Sequence, residues 1–461
     1  MSFLPAAISK QTPQEVFALD PGDVADAQLQ WARRRFDELR PRIPVLDSVA
    51  TETGVNAIEN LADIAPLCFP HTVYKSYSAT HVEKGRYDRL TRWLSGLTAE
   101  DLSGVDASGC DSLESWLDAV EAASRLRPLV SSGTTGKISF FPRSTVESDA
   151  FFHLIMQALS PYGDEPGAGL ESGEPEWFSP VPMATGRQSM TRFFALIRSR
   201  CYGGDPSRMH TLGAGHWNAD MLWLSGRMRA AERRGETSEV ALTPALQQAA
   251  QDLKRIQSDA EGNFDRFFED LMVGQKGRRV VLFAMYPALF GLASECHRRG
   301  LRPELHPDTF ILTGGGTKGH EFPEGWLDLI HGVFPPPYSE LYAMTESTAS
   351  ARLCSAGWYH LPPTLVPFLL DPDTSEPLPR HGTQTGRFAL FDLCAETHWG
   401  GAITGDRVTI DWEGGCPCGR KGLRVDYDIK RFSELRDDDK ITCAKSPGAY
   451  ERAVEILGDL A

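Results

Sequence analysis

The sequence predicts an α/β protein in which βαβ layers build a parallel sheet and a small antiparallel β appendage follows. Three observations predict it. Val280-Val281-Leu282-Phe283-Ala284 and Thr309-Phe310-Ile311-Leu312 are short apolar runs with a helical pattern from Pro287 to Arg299 between them, the order of a βαβ unit. From Gly386 to Asp411, runs such as Phe388-Ala389-Leu390-Phe391 and Val408-Thr409-Ile410 alternate with turns, as antiparallel strands do. Residues 1–125 show mostly helical patterning instead.

Taken in order, Ala25 to Leu39 carries Leu29, Trp31, Ala32, Phe36 and Leu39 among charged residues, which predicts an amphipathic helix. Thr243 and Pro244 sit as N-cap and first helical residue ahead of Leu246, Ala249, Leu253 and Ile256, which predicts a surface helix. Ser446-Pro447 opens a last helix, Ala449 to Leu460, with Tyr450, Val454, Leu457 and Leu460 on one face. The expected division is a helical region over 1–128, a catalytic core over 129–425 and a short terminal segment over 426–461. No internal repeat is visible.

Composition narrows the class. With 41% hydrophobic and 24% charged residues the chain is of ordinary globular type. A net charge of −15 opposes a nucleic acid or an anionic membrane as main partner. No apolar run long enough to span a bilayer is present. Nine cysteines, an odd number and mostly scattered singly, fit a reducing compartment, and the expected location is the cytoplasm. Cys416-Pro-Cys418-Gly-Arg420 is the exception. Its Cys-x-Cys pair is either half of a zinc site, with Cys394 and His398 as upstream partners, or two thiols in a turn.

The most informative stretch is Val130-Ser131-Ser132-Gly133-Thr134-Thr135-Gly136-Lys137. Glycines let the backbone approach phosphate oxygens, hydroxyls donate hydrogen bonds and the lysine adds positive charge. Gly133 lies too close to Gly136, and Lys137 precedes Ile138, so this is no Walker A loop.

That loop resembles the phosphate loop of the adenylate-forming superfamily of acyl-CoA synthetases, luciferases and peptide-synthetase adenylation domains. Thr313-Gly314-Gly315, then Tyr342-Ala343-Met344-Thr345-Glu346, then Thr404-Gly405-Asp406, then Arg424 with Lys430 follow in the family's order. Within the superfamily the chain is most similar to LuxE-type acyl-protein synthetases, through Ile311 to Gly319 and Glu340 to Glu346, and next to phenylacetate-CoA ligases. The resemblance covers Leu129 to Lys430 and implies the fold of the adenylate-forming catalytic domain.

It also implies roles. Ser131, Ser132, Gly133, Thr134, Thr135, Gly136 and Lys137 would hold the ATP phosphates, Thr345 would contact the alpha phosphate, and Glu346 would bind Mg2+. Gly315 and Tyr342 would border adenine, Asp406 would accept from the ribose hydroxyls, and Arg424 would assist at ribose or phosphate. Two departures stand out. Ala343 replaces a usual glycine, which predicts strain if the backbone there needs a positive φ. The family's mobile lid domain is expected to be largely missing, because a short segment follows Arg424 and segments below about 40 residues seldom fold alone.

The implied reaction is ATP-dependent activation of a carboxylic acid, then acyl transfer to a protein thiol or to coenzyme A. In acyl-protein synthetases a cysteine near the C-terminus takes the acyl group before a reductase partner does, and Cys443, between Lys440 and Lys445, is the matching candidate. The alternatives are a plain aryl- or acyl-CoA ligase, a phosphotransferase, and an inactive nucleotide-binding relative with a scaffolding task. Walls for the acid are expected between Phe151 and Arg198, with Met183, Phe193 and Phe194 as candidates.

Overall fold

The computed structural model describes residues 5–131, 136–159, 169–170, 172–182, 184–235, 243–316, 320–336, 338–435 and 447–461. Helices dominate its first part. Asp20 caps the helix Pro21–Leu39, its side chain accepting from the amides of Gly22 and Asp23. Ala32, Phe36 and Leu39 are buried on its inner face. Helices Pro44–Thr53, Tyr87–Ser95 and Leu113–Ala123 follow. The two-residue strand β1, Phe69–Pro70, lies among them.

β2 (Leu129–Val130) and β3 (Phe140–Phe141) form a separate antiparallel hairpin around the phosphate loop. The helix Thr145–Leu159 comes next. β4 (Glu176–Ser179), β5 (Thr185–Gly186), β6 (Met209–Thr211) and β7 (His216–Trp217) interleave with the helices Ser189–Cys201 and Ala219–Arg234. The helix Pro244–Glu269 begins as its sequence predicts, with the Thr243 hydroxyl accepting from the Leu246 amide. β8 (Val280–Phe283), the helix Tyr286–Arg299 and β9 (Phe310–Gly314) then make the expected βαβ unit. β10 (Tyr338–Tyr342) pairs parallel to β9.

The rest is antiparallel but for one pairing. β11 (Ala351–Leu353), β12 (Trp358–His360), β13 (Leu365–Leu370), β14 (Thr383–Asp392), β15 (Gly401–Asp411), β16 (Arg424–Asp426) and β17 (Lys430–Arg431) complete the strands, and β1 pairs parallel to β15. The expected small appendage is in fact continuous with the parallel part. The order runs β13-β14-β15-β16-β12-β11-β10-β9-β8-β4-β6 in one sheet, joined through β10 and β11. β11 and β12 are short and were not distinguishable as strands by their apolar content.

Two packing facts bear on organisation. The helical region does not own its core: Phe36, Leu46 and Trp116 share one cluster with Val366, Phe391, Trp399 and Leu457. The last helix, Pro447–Leu460, lies against Pro44–Thr53 and Tyr87–Ser95 and buries Ala449, Ala453 and Leu457. Its packed face thus holds alanines, which allow close helix approach, beside the expected Leu457 and Leu460, both of which lie at Gly96, while Val454 is only half-buried. Among the described residues no helix is long and apolar enough to cross a membrane.

Candidate active site

The phosphate loop closes at its base. The Ser131 amide donates to the Ser139 carbonyl at 3.2 Å, and the Ser139 amide to the Ser131 hydroxyl at 2.8 Å. Ser132, Gly133, Thr134 and Thr135 lie outside the described residues. Gly136 has φ +97°, and a Cβ there would come within 2.9 Å of Ala230, so this end of the loop needs glycine for both conformation and space. Lys137 donates to the Tyr77 carbonyl at 2.7 Å and lies over the Tyr77 ring. Burial, with Arg227 nearby, lowers its pKa.

Two further motifs leave the carboxyl ends of adjacent parallel strands. Gly315 and Gly316 follow β9 with φ of 70° and 58°. Tyr342 ends β10, whose Leu341 is registered against Gly314. Ligands of open parallel sheets collect at this edge. Ala343 is not among the positive-φ residues, of which Ser375 is the single non-glycine described. The strain expected at Ala343 is absent.

A side-chain bond then links β10 to β15, with three strands between them in the sheet order. The Tyr342 hydroxyl donates to Asp406 Oδ2 at 2.8 Å, and burial, reinforced by the Asp406 charge, holds its pKa well above the ordinary value. Tyr342 therefore stays a donor at neutral pH and fixes the carboxylate. The arginine at Asp406 is Arg431, its Nε 3.4 Å from Oδ1. Arg424 instead turns to Asp411, with Nε and Nη2 at 3.0 and 2.8 Å from Oδ2, and lies over Trp358. Lys430 pairs with Asp428 at 3.0 Å. The register explains the exchange: β15 pairs Asp406 with Arg431 and Asp411 with Arg424. Arg424, expected at ribose or phosphate, is thus paired with Asp411 and not with Asp406.

Glu346 is the second acid of the site. Burial raises its pKa, the Asp406 charge adds to that, and Arg431 and Arg143 act against it. Lys75 ties the elements together: burial lowers its pKa, Glu346 opposes this, and Arg431 and Lys137 contribute in the lowering direction. Lys137, Glu346 and Arg431 thus all act on Lys75, and Arg431 in turn pairs with Asp406. Sequence reasoning passed over Lys75 and Arg431 because neither sits in one of the family's motifs.

A buried network supports the Thr345-Glu346 segment from behind. Arg143 Nη1 donates to Thr348 Oγ1 at 2.7 Å and lies 3.3 Å from both Glu147 and Asp392. Its Nη2 reaches the Thr345 carbonyl at 3.4 Å, and Asp392 accepts from the Thr348 amide at 2.6 Å. Burial works to raise the Glu147 pKa, but His398 and Arg143 prevail and hold it at about 2.

Beside this segment lies a cavity of about 250 Å³, bordered by Leu129, Ser144, Phe151, Arg192, Leu196 and Thr348. Of the expected pocket walls, Phe193 and Phe194 pack on Trp177 in the core instead, and Met183 lies outside the described residues. Cys443 also lies outside them.

The cysteines regroup. Cys394 is buried in an apolar cluster, and burial holds its thiol well above the ordinary pKa. His398 Nδ1 sits 3.5 Å from Glu147. Neither joins Cys416 and Cys418, whose neighbours are Cys354 and His360.

No protein-family profile matches the sequence, and no curated protein does. Among solved structures, the chain is similar to 2-hydroxyisobutyryl-CoA ligase in a postadenylation state with R3-HIB-AMP. The identity is 13% over 90% of this chain and 68% of that one, with a TM-score of 0.49. It is also similar to ATP-bound MatB from Rhodopseudomonas palustris, at 14% identity over 67% and 52% of the two chains and a TM-score of 0.35. A third likeness is to the amide bond synthetase McbA from Marinactinospora thermotolerans, at 14% identity over 64% and 47% and a TM-score of 0.34.

Proposed function

We propose that the chain activates a small carboxylic acid with ATP and then passes the acyl group to a thiol, as adenylate-forming ligases do. A carboxylate oxygen attacks the alpha phosphorus, the bond to the bridging oxygen breaks, and acyl-AMP and pyrophosphate result. The step needs neutralisation of phosphate charge more than a strong base. The observation that carries the reading is that Lys75 feels the charges of Glu346, Arg431 and Lys137, while Asp406 lies 3.4 Å from Arg431 and is bonded by Tyr342. Lys75, Lys137 and Arg431 supply the positive charge, and Asp406, oriented by Tyr342, can accept from two sugar hydroxyls.

Glu346 fits a magnesium ligand. It is a carboxyl whose ionised form is penalised by burial and by Asp406, and a cation beside it would relieve both. Bound magnesium would neutralise phosphate charge. The cavity bordered by Phe151 and Leu196 is small beside drug-sized sites of about 300–1,000 Å³, which favours a small acid over a long acyl chain.

The test is ATP–pyrophosphate exchange with a panel of aryl, short-chain and long-chain acids. Exchange dependent on one small acid, and lowered about 100-fold or more in Glu346→Gln, is the expected result. ATP binding without exchange on any acid would move the assignment to a nucleotide-binding relative, and ADP as product to a phosphotransferase. Coenzyme A dependence of product formation separates a CoA ligase from transfer to a protein thiol. In the latter case Cys443→Ser abolishes acyl labelling of the chain while sparing exchange.

A further inference from the structure

A second constellation stands apart from the nucleotide chemistry. Cys354 follows β11, His360 ends β12, and Cys416 and Cys418 lie in the loop from β15 to β16. One ligand atom from each lies within 4.8 Å of all the others. Cys354 and His360 lie on the β11–β12 hairpin, Cys416 and Cys418 share one loop, and the pairing of β12 with β16 brings the two pairs together.

The separations have a specific meaning. Tetrahedral zinc, with bonds of about 2.3 Å to sulfur and about 2.0 Å to nitrogen, places two sulfurs about 3.8 Å apart and a sulfur and a nitrogen about 3.5 Å apart. Cys354 Sγ lies 3.7 Å from Cys416 Sγ, and Cys418 Sγ lies 3.4 Å from His360 Nε2. Both match edges of that tetrahedron. Disulfide sulfurs would be about 2.05 Å apart, so the Cys354–Cys416 contact is not one.

The loop is shaped to present the thiols. The Gly419 amide donates to the Cys416 carbonyl at 2.9 Å, closing a turn that holds both cysteines. Gly414 packs against the Gly422 carbonyl, where a Cβ would come within 2.3 Å. The Phe17 ring meets His360 edge-on at 5.7 Å, and the Lys421 amide donates to the Phe17 carbonyl at 2.9 Å. The ring that backs the imidazole is thus itself tied to the loop that carries the cysteines.

We propose that Cys354, His360, Cys416 and Cys418 form a closed structural zinc site that locks the β15–β16 loop onto the β11–β12 hairpin. Three thiolates and an imidazole select zinc over magnesium or calcium. Four protein ligands leave no open position for catalysis. The site anchors the end of β15, the strand that also carries Asp406, and its role is stability and alignment.

Chain produced in zinc-supplemented medium, without chelators or a metal-binding tag, should carry one zinc per molecule by elemental mass spectrometry. Exchange into cobalt should give the intense visible bands and thiolate charge transfer of a tetrahedral thiolate site. The Cys416→Ser Cys418→Ser double variant should lose the metal, whereas Cys110→Ser keeps it. Because that double variant can fail to fold, the cobalt spectrum of the unaltered chain is an independent check. A metal-free unaltered chain, an octahedral cobalt spectrum, or a Cys354–Cys416 disulfide found by peptide mapping would each overturn the site.

Discussion

At the scale of single residues, the arginine that faces Asp406 is set by strand register, not by motif. Arg431 faces Asp406, and Arg424 is committed to Asp411. Arg431→Ala is expected to raise the KM for ATP about tenfold, the effect of one charge-assisted contact, in steady-state exchange assays. Arg424→Ala should leave that KM unchanged and cost at most about 1 kcal/mol of stability, measured by urea unfolding. Equal KM effects from the two would contradict the geometry. Asp406, Glu346 and Lys137 were legible in the sequence because their chemistry sits inside ordered motifs. Arg431 was not, since a Lys-Arg pair near a chain end resembles a solvated surface, and Lys75 was not, since its contacts are all distant in sequence.

At the scale of elements, two features set the alignment of the site. Gly314 ends β9 where a Cβ would come 2.3 Å from the Leu341 carbonyl. Gly314→Ala should therefore cost about 2–3 kcal/mol and lower exchange by displacing β10 and Tyr342; unchanged melting and exchange would show that the strands can part freely. The Arg143-Glu147-Asp392 network gives a pH signature. Glu147 is held at about 2, below its ordinary 4.5, so it contributes stability that is present above 4.5 and lost as pH falls towards 2. Glu147→Gln should cost about 3 kcal/mol at neutral pH, and its urea midpoint should fall less between pH 4.5 and pH 3 than that of the unaltered chain. The βαβ unit was legible because buried parallel strands read as unbroken apolar runs. β11 and β12 were not: three residues long, with Arg352 and His360 facing inward, they lack any alternation, and with them the grouping of Cys354 and His360 was hidden.

At the scale of the molecule, the first helices and the last one belong to a single core. Leu457 is fully buried against the N-terminal helices, and a Cβ on Gly96 would come 2.6 Å from it. Leu457→Ala should cost about 2–5 kcal/mol by thermal and urea unfolding while leaving the exchange rate per folded molecule unchanged. A selective loss of exchange would instead give this helix a part in the chemistry. Three side chains of the helix Pro21–Leu39 bond to carbonyls far along the chain: Gln28 to Pro363, Trp31 to Leu393 and Arg35 to Ala395. On a ribosome adding about 5–20 residues per second, those acceptors arrive roughly 20–70 s after the helix itself. For that interval the helix has only its near neighbours in the chain, such as the segment Leu61–Leu67, to pack on, and the face of Phe36 that meets Trp399 stays open, so the nascent chain offers an apolar surface to chaperones, and its yield should depend on them more than its final stability does.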